Sequence, residues 1–337
     1  MTNLKTTYMG IELKNPLVVG ANNLTEKIEN IKKMEEAGAG AVVYKSLFEE
    51  QIELENFQLQ EGIDEYDDRH AMMVNVFPDI KHAGPKEHLY NLQKIKEEIN
   101  IPLIGSLNCI NKDIWVDYAK KMEQTGIDGL ELNLYSTPSE LDEDSASIEK
   151  EHFRILSEVK KNINIPVSAK LSFFYTNPLN AITNLDKTGI DAFVIFNRLF
   201  QPDIDTGGEK HIQPFNLSNI GDHRLPLRFT GLLYQNIKAD ICSSSGIFTG
   251  KDIVKMLLAG ANTIQCVSTL YKHKISYIKK MVSDLNNWME EKSYSNLEDF
   301  RGKLSNKNIS DPYIYQRSQY IDILMNKEPV IKNSYAR

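Results

Sequence analysis

Along most of the chain, short apolar runs alternate with longer stretches whose apolar residues recur at helical spacing. The runs Leu17–Gly20, Ala41–Lys45, Leu103–Leu107, Gly129–Leu134, Val167–Leu171, Ala192–Phe196, Ala239–Cys242 and Thr263–Val267 predict strands. Thr25–Ala37, Lys86–Ile99, Lys112–Thr125, Ser145–Asn162, Asn177–Lys187, Phe229–Ile237 and Thr249–Ala259 predict helices between them. Thr25 and Asn111 suit helix N-caps, and Gly38, Gly126, Gly189 and Gly260 suit terminators, because helices commonly end on a left-handed residue. The strand Gly129–Leu134 is the most informative. It sets Leu130, Leu132 and Leu134 on one face and Glu131 and Asn133 on the other. A parallel strand sandwiched between helix layers is apolar on both faces, so a polar inner face calls for another kind of enclosure.

Eight strand–helix units in order, greasy outward and polar inward, predict an α/β fold of the (β/α)8 TIM-barrel type. The leucines would meet the surrounding helices and Asn133 would face the mouth. No glycine-rich dinucleotide fingerprint follows the first strand, which counts against an open doubly wound sheet. Two insertions interrupt the alternation, one after the second strand (Leu47 to Pro85) and one after the sixth (Arg198 to Arg228). Both follow the strand ends where a barrel enlarges its active-site loops. The first opens with Glu49, Glu50, Glu53 and Glu55 and reads as a solvated acidic surface. The second contains Gly207-Gly208 and reads as paired short strands or a lid. After Tyr271, the spacing of Ile275, Ile278, Met281 and Leu285 continues as a helix. A single domain is expected, with the barrel over about residues 1–290 and a C-terminal helical extension over 291–337. That extension would pack on the barrel or on a neighbouring subunit, leaving room for a homodimer.

The length of 337 residues accommodates one enlarged barrel, and 41% hydrophobic content supplies its core. A net charge of −7 sets aside a nucleic-acid surface, which needs a basic stripe to displace counterions. The first residues lack the apolar run of a leader, and no segment approaches 18 continuous apolar residues, so a membrane is not expected and a cytoplasmic location is. Cys109, Cys242 and Cys266 are too widely spaced for a disulfide framework or a metal site, and read as small buried hydrophobes in a reducing compartment.

Polar residues recur where the strands end. The first closes on Gly20-Ala21-Asn22-Asn23, the second on Tyr44-Lys45-Ser46, and the third on Gly105-Ser106-Leu107-Asn108. The fourth ends in Asn133, the fifth in Lys170, and the sixth in Asn197-Arg198. Lys45 and Lys170 lie in otherwise buried strands, where a lysine must meet an anion or lose its proton. Two lysines and several asparagines around one mouth suit a flat, hydrogen-bonding ligand that carries negative charge. Ser243-Ser244-Ser245-Gly246 follows the seventh strand and Val267-Ser268-Thr269 the eighth. Loops in those two places commonly hold phosphate on backbone N–H groups. Taken singly, each of these residues is equally well a snorkelling lysine or a serine-rich turn; their joint recurrence favours a site.

The set resembles the dihydroorotate dehydrogenase family of flavin-mononucleotide barrels, and its soluble class 1 branch in particular. The matching pieces run from about Thr7 to His273: Met9-Gly-Ile-Glu-Leu-Lys-Asn-Pro-Leu17, Val43-Tyr-Lys-Ser46, Glu131-Leu-Asn-Leu134, Val167-Ser-Ala-Lys170, Phe196-Asn197, Gly246-Ile-Phe-Thr-Gly250 and Leu258-Ala-Gly-Ala261. The resemblance implies FMN across the mouth, bordered by Ala21 and Asn22, with Lys45 and Lys170 bonded to the flavin. It implies that Asn133 bridges flavin and substrate, and that the phosphate sits near Ser245, Gly246, Val267 and Ser268. Ser46, Ser106, Asn108 and Asn197 complete the expected cofactor contacts, and Asn75, Asn133, Asn197 and Arg198 the substrate contacts. Ser136, three residues beyond Asn133, stands where the family places its catalytic base. The implied reaction takes a proton alpha to a carbonyl while the adjacent hydride passes to flavin N5. The lysines Lys45 and Lys170 would steady negative charge on the reduced ring, with Ser136, Asn133 and Lys45 as the catalytic set, in a step of pyrimidine biosynthesis. The sequence departs from the family pattern at Thr137-Pro138, at Arg198, at Val74-Asn-Val-Phe77 and at Ser245-Gly246. The flavin contacts survive better than the substrate contacts, so two further readings stay open: an FMN-binding paralogue with another substrate, and a flavin-free phosphosugar lyase or isomerase.

Overall fold

The computed structural model describes residues 2–61, 84–108, 112–134, 141–199 and 201–317. The chain opens with a hairpin of β1 (Thr6–Tyr8) and β2 (Ile11–Leu13). Its turn holds Met9 at φ 54° and Gly10 at φ 75°, two positive values in succession, as a tight hairpin with the natural strand twist requires. Tyr8, Met9 and Leu13 are buried with Val18, Ala41, Val43, Ile104, Ala192, Val194 and Cys242. The hairpin is therefore the floor of the barrel, and Asp240 accepts the Met9 backbone N–H at 2.8 Å to hold it there.

The barrel strands are β3 (Leu17–Val19), β4 (Ala41–Val43), β6 (Leu103–Asn108), β7 (Gly129–Leu134), β8 (Val167–Leu171), β9 (Ala192–Ile195), β12 (Asp240–Ser244) and β13 (Thr263–Cys266). The remaining strands, β5 (Leu47–Phe48), β10 (Asp203–Asp205) and β11 (Lys210–Ile212), belong to the insertions. Neighbouring barrel strands are parallel throughout, and pairing of Val42 with Leu103 and Val43 with Ile104 closes the cylinder. Side chains alternate as a period of two demands. Leu130, Leu132 and Leu134 face outward into the main core with Val167, Ala169, Leu171, Phe193 and Ile264. Each fully buried side chain of this kind contributes on the order of 1.5–3 kcal/mol. The alternate positions point into the barrel, and toward the mouth they turn from apolar to polar.

The helices are α1 (Ile28–Glu36), α2 (Glu49–Glu61), α3 (Pro85–Glu98), α4 (Lys112–Glu123), α5 (Ser145–Asn162), α6 (Pro178–Asp186), α7 (Arg224–Leu233) and α8 (Gly250–Ala259). They are followed by α9 (Ser268–His273), α10 (Tyr277–Glu291) and α11 (Tyr313–Gln316). Gly38, Gly126, Gly189 and Gly260 all have positive φ where they end their helices. Two helix starts lie three or more residues from the sequence expectation. Thr25 does not cap α1: Asn22 caps a 3-10 turn over Asn23–Glu26, Thr25 answers it in a capping box, and α1 begins only at Ile28. The helix expected at Phe229–Ile237 runs from Arg224 to Leu233. Pro226 is tolerated in its first turn, and Gln235 at φ 57° lies in a conformation that cannot continue it.

The second insertion contains the antiparallel pair β10–β11, turned through Gly207-Gly208. The C-terminal segment lies against the barrel's outer layer. Its Arg301 donates to the Ala261 carbonyl and, at 2.9 Å, to Thr6 Oγ1, while Tyr315 is buried against Gly231. In its described part this segment is mostly turns, with helix only at Leu297–Asp299 and in α11. No helix among the described residues is long and apolar enough to cross a membrane.

Candidate functional site

The polar inner positions converge on one cavity of about 610 Å³ at the C-terminal ends of the strands. That volume is in the range of small-molecule and cofactor sites. Of the sequence candidates, Ala21, Asn22, Lys45, Ser46, Asn108, Asn133, Lys170, Asn197, Arg198, Ser245, Gly246, Val267 and Ser268 all line it. Ser106 is fully buried behind the wall, 2.7 Å from the Ser46 hydroxyl. Asn75 and Ser136, together with Cys109, lie outside the described residues.

Both lysines have found an anion. Lys45 Nζ is 3.1 Å from Glu26 Oε1, on the turn that follows β3. Lys170 Nζ is 3.4 Å from Glu131 Oε1 and donates to Gln265 Oε1 at 3.1 Å. Asn197 Nδ2 donates to Asn133 Oδ1 at 2.9 Å. Among the described residues this leaves Asn133 Nδ2 as a donor and Asn197 Oδ1 as an acceptor for a ligand. Asn22 borders the cavity with its amide engaged locally, donating to the Gly20 carbonyl and accepting from Leu24 N–H, each at 2.7 Å.

The guanidinium of Arg198 serves the second insertion. Nη1 pairs with Asp222 at 2.5 Å, Nη2 donates to Asn216 Oδ1 at 2.8 Å, and Nε to the Asn216 carbonyl at 3.1 Å. This ties the segment after β11 over the rim, where Phe215 and Asn216 join the lining.

On the opposite side the chain bends sharply after β12. Ser245 (φ 79°) and Gly246 (φ 72°) both have positive φ, which is how the chain makes this bend beside the cavity. A Cβ on Gly246 would come within 2.3 Å of the His223 backbone nitrogen, so only glycine fits. Ser245 Oγ donates to the Phe196 carbonyl at 3.1 Å, and Ser268 Oγ accepts the Ser218 N–H at 2.9 Å.

Several lining residues escaped the sequence reading. Glu49 and Glu50 line the cavity and Glu49 is buried, which corrects the reading of the acidic run as solvated at its start. Their carboxylates open α2, where the helix dipole favours negative charge. Gln265 sits two residues after Thr263 on β13, and inward parity was the signal that could have found it. Tyr271 follows from α9 and gave no signal. Cys242 and Cys266 are buried, and burial pushes both thiols up to about 12, which removes them as nucleophiles.

Fold and site together define a closed (β/α)8 barrel whose mouth is lined by asparagines, ion-paired lysines and a sharp glycine turn. The family model of dihydroorotate dehydrogenase matches residues 3–289. The chain belongs to the dihydroorotate dehydrogenase family. It is 28% identical over 319 residues to the dihydroorotate dehydrogenase B (NAD(+)) catalytic subunit of Thermoplasma volcanium, covering 90% of this chain and 98% of that one. It is 26% identical to the corresponding subunit of Methanocaldococcus jannaschii, over 89% of this chain and 97% of the relative. A probable dihydroorotate dehydrogenase A (fumarate) of Streptococcus pneumoniae is also 26% identical, over 90% and 99%.

Proposed function

We propose that the protein is an FMN-dependent oxidoreductase that oxidises dihydroorotate, or a closely related cyclic amide, in pyrimidine biosynthesis. The observation that carries this reading is the meeting of Lys45, Asn133, Lys170 and Asn197 at one cavity, within a chain matched to the family from residue 3 to 289. The residues present fit a flavin. Two ammonium groups offer donors to an electron-rich ring, and the glycine turn at Gly246 offers main-chain N–H groups to a phosphate. When bound, the flavin would supply the hydride-accepting centre.

The chain's own residues do the rest. Asn133 Nδ2 and Asn197 Oδ1, fixed by the hydrogen bond between them, match the carbonyl and N–H of a cyclic amide and hold it in one orientation. Lys45 and Lys170 place positive charge where negative charge develops, in a site partly shielded from water. Ser136 is the proposed base at the substrate carbon. A serine hydroxyl is weak at its free pKa, so it needs an acceptor for its own proton. The reading includes a cytoplasmic location, supported by buried Cys242 and Cys266, which form no disulfide.

Visible absorption of the purified chain tests this directly. The expected result is a yellow protein, as isolated or after FMN addition, whose flavin bands bleach anaerobically with dihydroorotate. A chain that stays colourless with FMN refutes the cofactor; a yellow chain that does not bleach refutes the substrate.

A further inference from the structure

Lys170 is held from below by side chains of two other strands. Its Nζ donates to Gln265 Oε1 at 3.1 Å and pairs with Glu131 Oε1 at 3.4 Å, and Gln265 Nε2 donates to Glu131 Oε2, closing a ring of three. Only one orientation of the Gln265 amide serves both neighbours, with oxygen toward the ammonium and N–H toward the carboxylate. The arrangement is built into the backbone. A Cβ at Gly20 would lie 2.8 Å from Gln265 Oε1 and 3.0 Å from a Val267 methyl, so the glycine after β3 makes room for the amide.

Lys170 and Gln265 line the cavity, whereas Glu131 is 1% exposed and does not. Among the described residues, the side chains shown paired with or hydrogen-bonded to the Glu131 carboxylate are Lys170 and Gln265. The burial of Glu131 therefore rests on Lys170 and Gln265. A buried carboxylate that cannot touch a ligand still acts on one through the cation it compensates, because charges are weakly screened inside the protein.

We propose that Glu131 is a positioning residue which sets the charge Lys170 presents to the cavity and, through it, the reduction potential of the flavin bound there. This rests on the flavin reading above. A lysine with its charge compensated stabilises the more electron-rich, reduced ring less than a bare lysine does. Glu131 thus keeps the flavin a weaker oxidant than Lys170 alone would make it, while the ring of hydrogen bonds keeps the ammonium aimed.

The test is the midpoint potential of the bound flavin, by anaerobic titration against a reference dye, in wild type, Glu131→Gln and Gln265→Glu. Glu131→Gln keeps size and hydrogen-bonding reach while removing the charge. It should shift the reduced-to-oxidised equilibrium at least about tenfold toward reduced, about 30 mV for a two-electron couple. Gln265→Glu puts a second carboxylate beside Lys170 and should shift it the other way. A wild type that binds no flavin refutes the functional reading itself. Given a flavin-bound wild type, an unchanged midpoint in Glu131→Gln, or shifts of the same sign in both variants, overturns the proposal. Loss of fold or flavin in both variants overturns it too, since the ring would then be structural support only.

Discussion

Two buried histidines make stability fall as pH drops below about 6.5. His88 on α3 packs edge-on against Tyr44, ring centroids 4.8 Å apart, and burial with the nearby Lys45 charge lowers it from 6.5 to about 3. His152 on α5 shares a 2.9 Å hydrogen bond with the Tyr175 hydroxyl, and burial lowers it from 6.5 to about 4. A ring whose pKa is lower in the folded chain contributes its full share above about pH 6.5 and loses it as pH falls toward the folded value. At about pH 5 both rings remain neutral in the fold, while each is protonated in the unfolded chain, 1.5 units below its ordinary 6.5. At about 1.36 kcal/mol per unit this is about 2 kcal/mol per ring, or about 4 kcal/mol together. The figure is insensitive to whether a folded value is 3 or 4, and it is a large fraction of an ordinary domain's stability of about 5–15 kcal/mol. Urea unfolding at about pH 8 and about pH 5 measures it. Carboxylates titrate over the same interval, so the comparison is with His88→Leu/His152→Leu, which should lose about 4 kcal/mol less across it. Equal losses in wild type and the double variant would refute the reasoning.

Three further outcomes follow from the site. Lys170→Ala should lose most of its flavin on gel filtration and, by leaving Glu131 buried without its cation, lower unfolding stability by about 3–5 kcal/mol. Gly246→Ala forces an alanine to φ 72° and into the His223 backbone, so it should cost more than about 1–2 kcal/mol in thermal unfolding and weaken flavin binding. Ser136→Ala should give a yellow protein with turnover slowed by at least about 10²-fold; unchanged turnover would place the base elsewhere.

Strand positions were legible because period and parity are local properties. The alternation of leucines with Glu131 and Asn133 gave the barrel its inside and outside before any contact was known. The lysines could be read as site residues because a charged group inside an apolar strand has few other places to go. The partners were not legible. Glu26 meets Lys45 and Glu131 meets Lys170 only because the barrel curls strands and turns from distant parts of the sequence onto the same wall. Arg198 shows the limit on a polar residue at a strand end. Whether it reaches a ligand or a neighbouring loop depends on Asn216 and Asp222, whose placement follows from the folded insertion and not from spacing. Glu49 was hidden for a related reason, since an acidic run reads as solvated until its first residue is seen turned inward.

The β1–β2 hairpin seals the cylinder at its lower end with Tyr8, Met9 and Leu13. The side chains that plug this floor are not among those lining the cavity, so the hairpin shapes the barrel without touching a ligand held at the opposite rim.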